Sequence, residues 1–271
     1  MKKLFYSVIS LVLLFSQCLA PKTKPIRKPD PKQHPLRVIS YNVNFGLYAD
    51  LGLLQNLASH NADVILLQET NESFAVMSEF HLSGIYPHQA FRKAPAAGGL
   101  GVLSRYPFEQ KYIANPNGWF VAGLVTVDTG VGKVQLLNVH LHPPVSEGGS
   151  FVYGYFSTKK VRLQEIQHFY KFLKPNLPTL VLGDFNEDRD GLAVAFLRDK
   201  GFQDVVQEYQ PKQNTWRWKI YGVTLTDQLD HIFYNQKLSS LSAKVLRIGR
   251  SDHFPVLANF HLHGFSHTDD L

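Results

Sequence analysis

Eight short apolar runs, each about as long as a β-strand, constrain the fold of this chain more than any other feature of its sequence. Several are continuously apolar, which is typical of strands buried on both faces of a sheet. The runs are Leu36–Val43, Asp63–Gln68, Gly99–Ser104, Val121–Val127, Val134–Leu141, Thr179–Gly183, Leu229–Tyr234 and Phe254–Phe260. Between them, helical spacing of apolar residues occurs at Leu51–Ala58, Val161–Leu173 and Gly191–Lys200, where Asp190 is the predicted N-cap. The mixture of hairpin-like and crossover connections predicts a two-layer β-sandwich core flanked by helices, an α/β fold.

Polar side chains stand where several of these runs end. The run Leu180–Leu182 leads into Asp184 and Asn186, and two earlier runs end at Asn42 and Glu69. A strand end is a rigid place from which to present a hydrolytic site, although Asp and Asn after a strand are also common turn residues. A glutamate buried at the end of an apolar strand needs a cation. A solvated helix start is the alternative for Glu69.

Histidines add to this pattern near the end of the fifth run. Strand alternation in Val134–His142 places Asn138, His140 and His142 on one face, which changes from apolar to imidazole as the strand ends. One histidine there would be read as structural. Two on one face favour a site, with a structural role for His142 left open.

Two Asp-His dipeptides complete the set of candidate residues. Adjacent residues of a regular strand point to opposite faces, so Asp230 and His231 cannot both enter one site. We choose Asp230 and treat His231 as structural. Asp252 and His253 precede their strand, where a bend allows both to turn inward.

The N-terminal region has the features of an export signal. Lys2 and Lys3 precede an apolar run, Leu4–Phe15, that is too short for a comfortable membrane span. Cys18, the only cysteine, excludes an intrachain disulfide and stands where a bacterial lipoprotein signal carries its lipidated cysteine. Gln17 departs from the small residue usual before that cysteine, so secretion and lipid anchoring both stay open. We expect the protein to be exported, and to be periplasmic, secreted or tethered to a membrane through Cys18.

Charge is concentrated in this region. The first 35 residues hold seven lysines or arginines and one aspartate, which accounts for the whole net charge of +6. Residues 1–20 are the predicted signal, and the Pro- and Lys-rich segment 21–35 is predicted to be an extended, solvated linker. One domain follows at 36–262, with a polar tail at 263–271. Because the chain after residue 35 carries no net charge, composition gives no indication of a duplex-binding surface.

In their order along the chain, the motifs resemble those of the endonuclease/exonuclease/phosphatase superfamily, the DNase I-like enzymes. The resemblance covers nearly all of 36–262, and the ordered set is far more specific than any one fragment. It implies the four-layer α/β sandwich of that family, with two packed mixed sheets, flanking helices and the site at one end of the sheets. The matching fragments are Ile39–Asn44, Leu67–Thr70, Gly99–Pro107, Asn138–His140, Gly183–Asn186, Leu229–Ile232 and Ser251–Val256.

The resemblance also implies a metal site. Glu69 would be the principal Mg²⁺ ligand, helped by Asn42 and Asp252, and Mn²⁺ is an alternative ion. Oxygen ligands of this kind suit a hard cation that retains water and is shared with a substrate phosphate. Whether one or two ions act is left open.

Catalytic roles follow from the same resemblance. Asp184 would orient or deprotonate the attacking water, with Asn186 positioning it, and His140 would donate to a non-bridging phosphate oxygen. Asp230 would hold His253 in its useful tautomer, with His253 acting as base or as stabiliser of developing charge. The implied reaction is in-line attack of water on a phosphodiester.

Three functions compete at this point. We favour a nuclease-type phosphodiesterase. The second function is that of a membrane-associated phosphatase or sphingomyelinase-like phospholipase of the same fold. The third is that of a catalytically inactive binding module. The substrate partner would be a nucleic acid or a phospholipid head group, and we expect a monomer. The loop from 142 to 158 is expected to shape substrate access. Trp216, Trp218 and Tyr221 would either contact a base, a sugar or a lipid, or pack in the core.

Overall fold

The described part of the chain, in this computed structural model, comprises residues 23–28, 34–47, 49–115, 118–144 and 157–263. The predicted signal with Cys18, residues 21–22 and 29–33 of the predicted linker, the loop segment 145–156 and the tail after residue 263 lie outside these ranges. Two six-stranded mixed sheets and a separate two-stranded hairpin form within them.

The first sheet has the strand order β13-β14-β1-β2-β4-β3. Its strands in chain order are β1 (Leu36–Asn42), β2 (Val64–Gln68), β3 (His88–Arg92), β4 (Leu100–Ser104), β13 (Leu238–Val245) and β14 (Val256–Leu262). The second sheet has the order β5-β6-β7-β8-β12-β9. Its strands are β5 (Phe108–Ile113), β6 (Ala122–Asp128), β7 (Lys133–His140), β8 (Thr179–Asp184), β9 (Gln203–Asp204) and β12 (Asp230–Tyr234). The hairpin consists of β10 (Trp216–Ile220) and β11 (Val223–Asp227).

Three apolar clusters define four layers. One cluster lies between the two sheets, where inner residues such as Val38 and Leu182 meet. The others lie outside, between the first sheet and helices α1 and α2, and between the second sheet and helices α3 and α4. The helices are α1 (Leu51–Ser59), α2 (Glu72–Leu82), α3 (Lys159–Tyr170), α4 (Leu192–Asp199) and α5 (Val205–Tyr209), with a 3-10 turn at Ala96–Gly98. The predicted four-layer sandwich is confirmed. No helix in the described ranges is long and apolar enough to cross a membrane.

The space between the sheets changes from apolar to polar toward one end. Because side chains alternate along a strand, Leu180, Leu182 and Asp184 share the inner face of β8. The inner faces of the neighbouring strands change from apolar to polar residues at the same level. Below that level Gln68 donates to Asn138 Oδ1 at 2.7 Å, and Asn138 donates to the Leu67 carbonyl at 3.0 Å. This buried bridge joins the two sheets directly beneath their polar end.

Some local predictions are corrected by the structure. Helix α4 begins after Gly191, and Asp190 is not its cap. Instead the buried Glu187 accepts a hydrogen bond from Ala193 N at 2.8 Å, placing a carboxylate at the positive end of the helix dipole. Helices α2 and α5 and strands β3, β5, β9, β10, β11 and β13 were not predicted, and several of them are short or only partly buried.

Part of the predicted linker is docked on the domain through hydrogen bonds. Lys24 Nζ donates to Glu208, Ser240 and Tyr234 at 3.0, 2.8 and 3.2 Å, and Arg27 N donates to the Leu241 carbonyl at 3.0 Å. We call residues 23–28 the N-terminal strap. A long side chain ordered by three partners indicates a specific contact, so this stretch is docked at Lys24, while Thr23 and residues 25–28 stay exposed to solvent as predicted for a linker.

The strap lies at the end of the sandwich opposite the polar end. Ser240 pairs with Phe260, and Phe260 pairs with Leu36 at the start of β1, so the three residues lie at one level. Asn42 stands six residues further along β1, about 20 Å away at the usual rise per strand residue. Lys24, bound to Ser240, is therefore separated from the polar end by the length of the strand.

Two side chains of helix α3 bind the backbone of His142, just beyond β7. Glu165 accepts from His142 N at 2.8 Å, and Arg162 donates to the His142 carbonyl at 3.2 Å. Arg162 is almost fully buried and pairs with Glu187 at 2.9 Å. Burial raises the pKa of Glu165 to about 7, against the hydrogen bonds from His142 and Asn115, which lower it.

Gly183, just before Asp184, is where β8 tolerates no side chain. Its φ is +139°, and an added Cβ would lie 1.9 Å from the Val139 carbonyl oxygen. We expect Gly183→Ala to lower the free energy of unfolding by roughly 3 kcal/mol, because strain and overpacking combine. Gly84 has open space around its Cα, so Gly84→Ala is the control, with a change within about 0.5 kcal/mol. Urea denaturation measures both, and equal effects would contradict this reading.

Glu165 should make stability depend on pH. Its folded pKa is about 7 and its ordinary value 4.5, so the folded state binds this proton more tightly than the unfolded chain does. The resulting stabilisation is complete below about pH 4.5 and is lost as pH rises to about 7, on the order of 3 kcal/mol in all. Glu165→Gln removes the titration. The free energy of unfolding of the natural protein should therefore fall relative to the variant between pH 5 and 8, and a constant difference would show that Glu165 ionises normally.

Candidate active site

Asp184 is the centre of a cluster of carboxylates and imidazoles at the polar end of the sandwich. Strand pairing sets His140 of β7 and Asp230 of β12 directly beside it. Its Oδ2 lies 3.6 Å from His140 Nε2, 3.5 Å from His253 Nε2 and 3.0 Å from Asn42 Nδ2. Four segments remote in sequence thus meet at one buried carboxylate, as the sequence predicted for the ends of the strands.

Glu69 is held by two donors in a strained turn. Its Oε1 accepts from Asn42 Nδ2 at 2.9 Å and its Oε2 from Phe45 N at 3.1 Å. Its φ of +59° lies in the left-handed region, which costs a non-glycine residue roughly 1–2 kcal/mol. Helix α2 begins three residues later with Asn71 as its cap. Glu69 is therefore no solvated helix start, and it is turned toward Asp184.

Asn42 bridges the two carboxylates through its amide nitrogen. Its Oδ1 accepts from Asn44 N at 3.0 Å, so the oxygen is already bonded while the NH₂ group faces Glu69 and Asp184. In this arrangement Asn42 orients the carboxylates. Its role as a metal ligand stays a prediction.

His140 is fixed by a carbonyl and a ring. Its Nδ1 lies 3.2 Å from the Ala97 carbonyl, which can only accept, so Nδ1 carries the hydrogen. Phe120 stacks on the imidazole with centroids 4.3 Å apart and an interplanar angle of 10°. Nε2 is thereby turned to Glu69 and Asp184, 3.6 Å from an oxygen of each.

His253 and Asp230 form a buried pair. Nδ1 of His253 donates to Asp230 Oδ2 at 2.8 Å. Burial alone would lower the pKa of His253, but the carboxylates of Asp230 and Asp184 outweigh it and raise that pKa to about 10. Burial raises the pKa of Asp230, which the His253 imidazole opposes. The pair therefore holds a proton at neutral pH, with His253 Nε2 facing Asp184.

The donor set fits a divalent cation. Two groups have ligand atoms within 4.8 Å of one another: Glu69, His140 and Asp184, and Asp184, Asp230 and His253. Among the residues that the structure describes, no lysine or arginine pairs with any of the three carboxylates. Carboxylates that no lysine or arginine neutralises suit a hard ion such as Mg²⁺ or Mn²⁺.

Other predicted residues lie around this cluster. Asn186 donates from Nδ2 to the Leu141 carbonyl and from its backbone to Asp184 Oδ1, at 2.9 and 2.8 Å. Asp252 accepts from Trp216 Nε1 at 3.1 Å and belongs to neither group of potential ligands. The His142 ring lies beside Trp119, with centroids 4.3 Å apart.

His231 points to the other face of β12, as strand alternation requires. It is fully buried and bonds Asp204 at 2.7 Å and the Glu187 carbonyl at 2.9 Å. This geometry agrees with the structural role chosen for it from the sequence.

Several supporting residues were missed by sequence reasoning. Ser251 donates to the Asn42 carbonyl and accepts from His253 N, at 2.9 and 3.1 Å. Thr215 Oγ1 accepts from the backbone of Asp230 at 2.9 Å. Ser251 lies within the matching fragment Ser251–Val256, so the sequence could have indicated it. Thr215 carries no sequence signal, because its partner is 15 residues away and is reached only through the hairpin.

The fold recurs in solved structures of low sequence identity. An endonuclease/exonuclease/phosphatase from Beutenbergia cavernae superposes with a TM-score of 0.63 at 18% identity, covering 85% of this chain and 72% of that one. D. rerio TDP2 complexed with a single-strand DNA product gives 0.63 at 21% identity, covering 84% and 99%. A family protein from Bacteroides thetaiotaomicron gives 0.62 at 18% identity, covering 84% and 98%. These likenesses show the fold.

Family membership is established at the level of sequence. No curated protein gives a significant match to the chain. The model of the endonuclease/exonuclease/phosphatase family, however, matches residues 39–253. That span runs from β1 to His253 and contains every residue of the cluster around Asp184. The chain therefore belongs to the endonuclease/exonuclease/phosphatase family.

Proposed function

We propose that this protein is a divalent-metal-dependent phosphodiesterase of nuclease type that attacks its substrate with water in line with the leaving group. The observation that carries the proposal is the convergence of two further carboxylates, Glu69 and Asp230, and two imidazoles on Asp184 at one end of the sandwich. Membership of a family of phosphoester hydrolases supports it. A binding module would have no need of so costly a buried acidic cluster.

Glu69 is the proposed principal ligand of the ion, and a carboxylate oxygen of Asp184 lies within 4.8 Å of the Glu69 carboxylate. Asn42 keeps the two carboxylates together. Mg²⁺ is the proposed ion because carboxylate oxygens dominate the set, and Mn²⁺ suits the same donors. When bound, the ion supplies Lewis-acid stabilisation of charge on the phosphate oxygens.

The remaining chemistry is assigned to the side chains themselves. Asp184 accepts the proton of the attacking water, and Asn186 holds the turn that presents Asp184. His140 donates to a non-bridging oxygen from Nε2, which requires a hydrogen on both ring nitrogens because Nδ1 is bonded to the Ala97 carbonyl. His253, protonated at neutral pH, donates from Nε2 to the developing negative charge, while Asp230 fixes its orientation through Nδ1. Of the two roles predicted for His253, the raised pKa favours the stabiliser over the base.

A nucleic acid is the proposed substrate rather than a membrane lipid. TDP2 from D. rerio, which shares the fold, has been solved with a single-strand DNA product. The strap provides an argument from this chain itself, because it lies opposite the site. An anchor at Cys18 is six residues before Lys24 and so reaches at most about 20 Å from it. We propose that an exported, monomeric protein tethered in this way holds its site away from the anchoring membrane.

Glu69→Gln should abolish most activity, because the variant loses the charge of the proposed principal ligand. We expect hydrolysis of bis(p-nitrophenyl) phosphate with Mg²⁺ to fall about 100-fold or more, with a near-native melting temperature. Excess EDTA should do the same to the natural protein. Glu79→Gln, the same change at an exposed position of α2, is the matched control and should leave the rate unaltered. Full activity in EDTA would overturn the proposal.

Asp230 and His253 should behave as a single unit. We expect Asp230→Asn and His253→Ala each to reduce the rate strongly, and the double variant to be hardly worse than the more damaged single variant. The measurement is a double-mutant cycle of kcat/KM on the same substrate. Losses that simply multiply would show that the two residues act independently.

A further inference from the structure

Glu165 is a buried carboxylate to which the proposed reaction assigns no role. It lies on helix α3 and is 2% exposed. Both of its oxygens accept hydrogen bonds at 2.8 Å, Oε2 from His142 N and Oε1 from Asn115 Nδ2. These donors are 23 and 50 residues away along the chain. One side chain therefore joins two segments that the sequence keeps apart.

One of the two segments is an arm that reaches the candidate active site. It leaves β5 at Asn115 and returns to β6 by way of Phe120, and we call the described residues of this stretch the arm. Gly118 packs against the hydrogen bond at the near end of the arm, where an added Cβ would collide with Asn115 Nδ2 and Glu165 Oε1. At the far end, Phe120 stacks on the His140 imidazole, with centroids 4.3 Å apart and an interplanar angle of 10°. The arm thus runs from Glu165 to a histidine of the site.

The stack with Phe120 restricts the orientation of the His140 ring. The hydrogen bond of Nδ1 with the Ala97 carbonyl, at 3.2 Å, holds one ring atom. Rotation about the bond that joins Cβ to the ring has broad minima, so a single hydrogen bond leaves the ring plane poorly defined. Phe120 covers one face of the ring and keeps Nε2 directed at Asp184, 3.6 Å away. Because a catalytic group has to be held to within about 0.5 Å, this packing bears on the chemistry assigned to His140.

The second segment is the end of β7, which carries His140 itself. His142 follows two residues later, and Glu165 holds its backbone nitrogen while Arg162 holds its carbonyl at 3.2 Å. The backbone that carries the histidine and the arm that stacks on its ring are therefore anchored to the same carboxylate. A shift of one relative to the other would have to break a buried hydrogen bond.

We propose that Glu165 is a positioning residue for His140, which holds the arm and the end of β7 in the relative placement that keeps Phe120 stacked on the imidazole. Glu165 acts through these neighbours and touches neither the substrate nor the ion. The inference rests on the proposed function, because it concerns the group that donates to a non-bridging phosphate oxygen.

A purely structural role for Glu165 is the alternative. An ionised carboxylate is costly to bury, and burial raises the pKa of Glu165 to about 7. A neutral glutamine would avoid that cost, but its amide has one oxygen and cannot accept from both His142 N and Asn115 Nδ2. The carboxylate is thus required for joining the two segments. A structural role predicts that substitution changes stability and leaves the rate of the folded protein unaltered.

The first test observes the His140 ring in the full chain without metal or substrate. In the NMR spectrum of protein labelled with ¹³C-histidine, the His140 signal is the one lost in His140→Gln, and the ring current of Phe120 should shift it away from the value of free histidine. Glu165→Gln and Phe120→Leu should each move it back toward that value. Glu208→Gln is the matched control, because it removes a carboxylate with three hydrogen-bond partners at the strap end, and it should leave the signal in place.

The second test is kinetic and uses bis(p-nitrophenyl) phosphate with Mg²⁺. Glu165→Gln and Phe120→Leu should each lower kcat about tenfold and change KM less than about twofold, since a donor to the transition state is misplaced. In a His140→Gln background neither substitution should lower the rate further, because the group that they position is gone. Glu208→Gln should leave the rate unaltered.

An unmoved His140 signal in Glu165→Gln would overturn the proposal, and so would a loss of rate that persists in full in the His140→Gln background. Asn115→Ala replaces Glu165→Gln if that variant does not fold, since it frees the arm and leaves His142 N its acceptor. The NMR signal does not depend on turnover. A natural protein without phosphodiesterase activity therefore overturns the proposed function, while the signal still decides whether Glu165 positions the ring.

Discussion

The site depends on the register with which β7, β8 and β12 pair. That register sets His140, Asp184 and Asp230 side by side at the end of one sheet, and the other sheet supplies Asn42 and Glu69 across the gap. A shift of one residue in a strand of this sheet would turn its member of the set, His140, Asp184 or Asp230, to the opposite face. Register is protected by the apolar inner faces below, since the same shift would move a whole row of buried residues into the wrong cluster. The packed core is thus what aligns the chemistry.

The second constraint is electrostatic. Glu69, Asp184 and Asp230 lie close together and largely out of water, where like charges are costly to maintain. Two imidazoles and the Asn42 amide offset part of that cost, and the raised pKa of His253 is a measure of how negative the surroundings are. What is left over is an excess of negative charge, which destabilises the empty site and favours a cation. The fold thereby exchanges stability for a candidate metal-binding centre, as functional sites often do.

The strap and the hairpin lie at opposite ends of the sandwich. One end of the sandwich holds Lys24 in contact with Glu208, Tyr234 and Ser240. The other end carries the site and the exposed hairpin face that begins at Trp216. The hairpin lies beside the site, since Trp216 forms a bridge with His253, and both lie at the end remote from the N-terminal strap.

Local sequence determined a large part of this protein. Continuous apolar runs identified the buried strands, alternation along them separated Asp230 from His231, and the ordered motifs identified the residues that meet at Asp184. The sequence misjudged features whose partners are remote. The sequence around Lys24 does not indicate its hydrogen bonds with Glu208 and Ser240. The sequence around Arg162 does not indicate its pairing with Glu187. Trp218 is as apolar as any core residue, and only the position of its hairpin outside both sheets leaves it exposed. Periodicity reports which face of an element is apolar, but tertiary packing alone decides what that face meets.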